Sequence, residues 1–102
     1  MKVNIHTLNK AFENRVRLGI MSALIAGEEM DFNRLKEILE VTDGNLASHL
    51  KALEKEEYIE VQKSFVGRKP NTKYVATKAG KVAFMAHIDS LINLLIGLTG
   101  GG

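Results

Sequence analysis

The chain reads as a mainly α fold with a small β-hairpin, of the α+β class, and three observations predict it. Apolar residues recur at helical spacing in four stretches, the residues alternate instead over Ile59 to Phe65, and a run of turn formers, Gly67-Arg68-Lys69-Pro70-Asn71, follows that alternation. With 102 residues, 45% of them hydrophobic and 25% charged, the chain suits one core and is too apolar for disorder.

From Thr7 to Ala26 the apolar residues go nearly all the way round a helix. Val16, Ile20 and Leu24 lie on one side, Leu18, Met21 and Ile25 on another, with Leu8 and Phe12 upstream. A helix of that kind is covered on more than one face. Asn14 suits the cap of a second helical segment, which predicts a break between Lys10 and Arg15, and Gly27 is a natural stop. Glu28 to Asp31 reads as a turn, with Met30 to Phe32 a short strand. Asn33 then caps a helix whose Leu35, Ile38 and Leu39 recur at i, i+3 and i+4.

Only Glu40 and Val41 separate that helix from the next cap, Thr42. Its hydroxyl can accept from a free N–H of the first turn, and Asp43 puts negative charge at the positive end of the helix dipole. Leu46, Leu50 and Leu53 form one narrow apolar stripe, while Asn45, Ser48, Lys51, Ala52 and Lys55 fall opposite. The N-terminal half of the outer face is small or hydrogen-bonding: Gly44, Asn45, Ala47, Ser48 and His49. Such a face admits a helix to a groove about 12 Å wide, whose base edges amide, hydroxyl and imidazole groups can read. Two short helices joined so tightly make a helix-turn-helix.

After Glu57, Ile59, Val61, Lys63 and Phe65 alternate with Glu60, Gln62 and Ser64, and Tyr74 to Ala76 supply a shorter partner strand. The loop between them carries two adjacent cations, Arg68 and Lys69. A helix-turn-helix followed by a hairpin with a basic tip is a winged helix. Thr77 caps a final helix in which Phe84, Met85, Ile88, Leu91, Ile92 and Leu95 share one stripe. Exposing them would forfeit about 1.5–3 kcal/mol each. A two-fold dimer with Leu8 and Phe12 of the first segment and the last helix at its centre is therefore expected, against the alternative of an intrachain helical hairpin. The expected organisation is one domain over 1–99: a first helical region to 27, the helix-turn-helix at 33–57, the wing at 58–76, a dimerisation helix at 77–98, and a disordered glycine tail at 100–102.

Net charge is only +2, but its distribution is uneven. Acids crowd into Glu28 to Asp31 and Glu54 to Glu60, whereas Lys63, Arg68, Lys69, Lys73, Lys78 and Lys81 form an acid-free basic run, suited to holding a phosphate backbone. The absence of cysteine removes disulfides and thiolate chemistry and fits a reducing cytosol. The first ten residues lack a signal-peptide core, and Val82 to Leu98 is interrupted by His87, Asp89, Ser90 and Asn93. Neither a secretory leader nor a membrane span is expected, and a cytoplasmic protein is.

Three motifs resemble the MarR/ArsR-like winged helix-turn-helix transcriptional regulators. The run from Phe12 to Met21 leading to Leu24 looks like their first-helix pattern. Leu46-x-x-His49-Leu50-x-x-Leu53-Glu54 followed by Tyr58-Ile59 is similar to their recognition helix and the strand after it, and Tyr74-x-x-Thr77-x-x-Gly80 to the junction with the last helix. The order and spacing of all three match over nearly the whole length. Asn14 stands where many members have proline, Ala47 where a serine often contacts phosphate, and Glu57 where a glycine usually ends the recognition helix.

The expected function is a homodimeric, sequence-specific regulator bound to double-stranded DNA at an inverted repeat. Asn45, Ser48 and His49 would read base edges, Thr42 and Lys51 would contact phosphates, and Arg68 and Lys69 would track the backbone or enter the minor groove. The alternative is a winged helix that docks protein, with Glu54, Glu56, Glu57 and Glu60 as its working surface. No enzyme is expected: Ser48 and His49 are adjacent and cannot form a dyad on a helix, and Val75 stands where the phosphate-loop motif ending at Gly80-Lys81 needs glycine. No cofactor or metal is expected. His87 and Asp89 lack the i, i+4 spacing of a joint site, so His87 is read as a solvated histidine; they could meet only across a dimer. An organic effector between the first and last helices has no polar residues to identify it.

Overall fold

The structure, a computed structural model of the chain, describes residues 3–99, and the side chains among them as far as Gly97. The glycine tail at 100–102 lies outside the described residues. A short 3-10 turn, Lys10–Phe12, precedes α1 (Arg15–Gly27), β1 (Glu29–Met30), α2 (Phe32–Leu39), α3 (Asp43–Lys55), β2 (Ile59–Val66), β3 (Lys69–Ala76) and α4 (Lys78–Thr99). The strands form an antiparallel sheet in the order β1-β3-β2. The architecture is a winged helix, α+β and mostly helical.

Side-chain oxygens close the helix starts, satisfying N–H groups that have no partner in the first turn. Asn14 Oδ1 accepts from Val16 and Arg17 at 2.8 and 3.3 Å, Thr42 Oγ1 from Asn45 at 3.2 Å, and Thr77 Oγ1 from Gly80 at 2.9 Å. The cap of α2 is Asp31, accepting from Arg34 at 2.7 Å, rather than the expected Asn33. Starting the helix two residues earlier takes Phe32 out of the strand predicted over Met30 to Phe32. What remains is β1, pairing Glu29 with Val75 and Met30 with Tyr74.

The end of α3 is a left-handed reversal. The Tyr58 N–H donates to the Leu53 carbonyl at 3.0 Å and the Glu57 N–H to that of Glu54 at 2.9 Å, the paired bonds of a Schellman motif, with Glu57 at φ 62°. Glutamate thus occupies a conformation that glycine adopts without steric cost. The chain then enters β2, whose whole length pairs with β3 from Ile59↔Ala76 to Val66↔Lys69. β3 is longer than the Tyr74 to Ala76 strand predicted, and the five-residue loop shrinks to Gly67-Arg68. A positive φ of 66° at Gly67, with none at Arg68, makes a type II′ turn that matches the strand twist. Pro70 is tolerated because its missing N–H would point away from β2, on the side that β1 does not reach.

The core is Phe12, Ile20, Met21, Leu24, Leu35, Leu46, Leu50, Leu53, Ile59 and Phe84. Phe12 sits at its aromatic end, 5.4 Å from Phe84 edge-on, 5.2 Å from Tyr58 and 5.6 Å from His87 between ring centres. Phe12 and Phe84, expected at a dimer surface, are instead spent inside the protomer. His87, expected to be solvated, is buried: its Nδ1 accepts from the Asn9 N–H at 3.0 Å. Asn9 also caps the 3-10 turn through Ala11 and donates to the Tyr58 hydroxyl at 3.1 Å. Ser90 adds a bond to the Thr7 carbonyl at 3.2 Å. The N-terminal segment is therefore latched onto α4.

The start of α4 is fixed to the end of α3. Thr77 Oγ1 donates to the Glu57 carbonyl at 2.7 Å, the Thr77 N–H donates to the Tyr58 carbonyl at 3.0 Å, and Gly80 packs so closely that a Cβ would overlap that carbonyl. Beyond this junction the helix runs outward, and the molecule measures 60 × 26 × 21 Å. Met85, Leu91, Ile92, Leu95 and Ile96 are 40–62% exposed. By length and composition Lys78–Gly97 could cross a membrane. Its first half, however, carries the buried His87 latch and packs Phe84 into the core, contacts that a bilayer-embedded helix could not keep.

Two substitutions test these junctions by urea or thermal denaturation. Gly80→Ala should cost about 2 kcal/mol or more, because backbone must move to admit the methyl group. Glu57→Gly should raise stability by about 1 kcal/mol by relieving the left-handed residue.

Candidate nucleic-acid interface

The apolar stripe of α3 determines which of its residues are free. Leu46, Leu50 and Leu53 are buried against α1 and the sheet, so Thr42, Asn45, Ala47, Ser48 and Lys51 are exposed on the other side. The first turn is open: a Cβ built on Gly44 would meet nothing within 4 Å, so the fold does not require glycine there. Thr42 uses one lone pair on Asn45 and keeps its O–H to donate. Asp43, an acid at the head of this face, is paired with Lys36 Nζ at 2.8 Å, which offsets its charge.

His49 departs from the expected set. It is half-buried toward α1, where Arg17 Nε donates to its Nδ1 at 3.0 Å. Burial, with the adjacent Arg17 guanidinium, lowers its pKa from the ordinary 6.5. A neutral ring with hydrogen on Nε2 is the form that accepts this bond. The other members of the predicted recognition set, Asn45 and Ser48, are exposed, without such a side-chain partner among the described residues.

Between α3 and the sheet runs a groove of about 530 Å³, lined by Phe32, Ala47, Ser48, Leu50, Lys51, Glu54 and Tyr74. Burial pushes the Tyr74 hydroxyl above its usual range, reinforced by Glu54, so it stays a neutral donor. Tyr74 pairs with Val61, and the same sheet face continues outward through Lys63 and Thr72 to Phe65 and Pro70. Arg68 and Lys69 stand exposed at the turn. Lys63, Arg68 and Lys69 form no ion pair among the described residues, whereas Lys73 is held by Glu29 at 2.8 Å. The groove thus sets Ala47, Ser48, Lys51 and Glu54 of α3 against Tyr74 of the sheet, and the cationic hairpin extends beyond it. Lys63, read from the sequence only as part of the basic run, lies on the same sheet face as Tyr74, where counting in twos from Ile59 is enough to place it.

No group of three or more His, Asp or Glu with metal-holding geometry occurs among the described residues. A separate recess of about 260 Å³ lies between the N-terminal segment and α4, lined in part by Asn4, Thr7, Ser90 and Asn93.

Comparison with known proteins agrees with this geometry. The family described as winged helix DNA-binding domain matches residues 16–95. An uncharacterized protein of Methanocaldococcus jannaschii is 40% identical over 85 residues, covering 83% of this chain and 92% of the relative. A transcriptional regulator homologue from Pyrococcus horikoshii OT3 superposes with a TM-score of 0.80 at 31% identity, over 87% of this chain and 88% of that one. Diamide-treated YodB from B. subtilis gives 0.74 at 21% identity, over 87% and 85%, a likeness of fold alone.

The Arg17–His49 pairing generates a pH prediction. Because the folded pKa lies below the unfolded value of 6.5, its stabilisation is complete above that pH and disappears as pH falls through the folded pKa. The stability difference between wild type and His49→Gln, from urea melts, should shrink steadily on acidification from neutrality; a constant difference would contradict this.

Proposed function

The chain belongs to the winged helix DNA-binding domain family, and from that premise we propose that it is a homodimeric, sequence-specific transcriptional regulator that inserts α3 into the major groove. The observation that supports this most strongly is the outer face of α3, exposed and small or hydrogen-bonding at its N-terminal half, beside a hairpin whose Lys63, Arg68 and Lys69 form no ion pair among the described residues. Asn45 and Ser48 supply base-edge contacts, and Thr42 and Lys51 supply phosphate contacts beside them. Arg68 and Lys69 hold the flanking backbone or reach the minor groove. His49 acts from behind, through Arg17, rather than at a base.

The exposed part of the α4 stripe supports the dimer. Met85, Leu91, Ile92 and Leu95, with Leu8 and the half-buried Ile88 beside them, form an apolar surface that a second copy would cover. The recognition helices of the two copies would then lie about 34 Å apart, one duplex turn, and select an inverted repeat. The acids Glu54, Glu56, Glu57 and Glu60 lie at the opposite end of α3 from Asn45. In this reading they keep that end off the phosphates.

Binding to duplexes over a range of salt concentrations tests the assignment. Arg68→Ala with Lys69→Ala should weaken binding to all sequences and flatten the log–log salt dependence by about 0.9 for each phosphate no longer neutralised. Asn45→Ala should change sequence preference with the slope kept. If neither set alters DNA affinity, the DNA-binding surface is elsewhere.

A further inference from the structure

The wing ends in exposed apolar side chains that neither the fold nor the phosphate contacts explain. Phe65 is 73% exposed and Val66 68%, the two highest values among the exposed large hydrophobic residues. A strand favours aromatic residues when they pack on a cross-strand neighbour. Here the neighbour is Pro70, which leaves most of the ring in water.

Register places that ring on a particular side of the hairpin. Phe65 and Pro70 lie on the face that begins at Ile59 and Ala76 in the core, continues through Val61 and Tyr74 at the groove beside α3, and passes Lys63 and Thr72. Four residues beyond Tyr74, Pro70 is about 13 Å further out. The apolar pair is thus bracketed by cations, Lys63 toward the domain and Arg68 with Lys69 at the tip. No acidic residue occurs between Val61 and Val75.

Resting on the DNA-binding reading above, we propose that Phe65, backed by Pro70, is an apolar wedge that enters the minor groove next to the major groove holding α3. The surrounding cations suit the two phosphate walls of a groove about 6 Å wide, and the uncharged ring suits the sugar and base-step surface between them. Phenylalanine and proline are among the side chains that unstack base steps from this side and bend the duplex. The wedge makes DNA deformability a second source of sequence preference, at base pairs that α3 does not touch.

The test uses the full chain and mixed-sequence duplex at low and moderate salt. Phe65→Ala should weaken binding about tenfold with an unchanged log–log salt slope, since the ring neutralises no phosphate and releases no counterion. Phe65→Lys should steepen the slope without restoring the bend seen by end-to-end fluorescence transfer on a labelled duplex. The chain has no tryptophan, so the Phe65→Trp variant carries a single indole, which duplex should shield from acrylamide. Wild-type affinity and bend retained in Phe65→Ala would overturn the wedge and leave the DNA-binding reading standing. An indole shielded by self-association without DNA would overturn it too, assigning the patch to a contact between copies. If wild type binds no duplex at low salt, the functional reading itself fails and the wedge with it.

Discussion

The burial of Leu46, Leu50 and Leu53 is the constraint on which the site depends. Three leucines on one stripe, each worth about 1.5–3 kcal/mol when removed from water, fix the rotation of α3 about its own axis. Once that rotation is set, Asn45, Ser48 and Lys51 have only the outside to face. A turn of one residue about the helix axis would bring polar groups inward without partners and expose a leucine. Core packing and ligand presentation are thus two sides of one helix.

The wing is oriented by a different device. Thr77 bonds to both ends of the junction, accepting from Gly80 and donating to the Glu57 carbonyl, while Gly80 lets α4 press against the Tyr58 backbone. These contacts tie the exit of α3, the root of the hairpin and the start of α4 together. The hairpin leaves from this junction, with Lys63 on the sheet face that carries Tyr74 and with Arg68 and Lys69 at its tip. On the far side of α4 the Asn9–His87 bond and the Phe12 ring hold the N-terminal segment, so the exposed distal half of the helix starts from a rigid base.

Local chemistry is legible in the sequence, and long-range partnership is not. Thr42, Asn14 and Thr77 are readable as caps because a cap acts on an N–H two or three residues away. The α3 stripe follows from spacing alone. His87 differs from its sequence expectation because its partner, Asn9, is 78 residues distant. Phe12 and Phe84 show the limit of periodicity: an apolar stripe reveals which residues avoid water, not whether the cover comes from the same chain. β3 runs longer than predicted because Lys69, Pro70 and Asn71 are poor strand formers held extended by pairing with β2. The position of His49 is within reach of spacing, since it lies three residues after Leu46 and so leans toward the buried side.

The central claim is that one continuous surface, the outer face of α3 together with the inner face and tip of the wing, receives duplex DNA. Titrating the isotope-labelled protein with mixed-sequence duplex and following backbone amide shifts by NMR measures this directly. The account predicts that the largest changes fall at residues 42–51 and 63–70, with the far side of α1 silent. Changes centred on Glu54 to Glu60 or on α4, with the α3 face unmoved, would contradict it.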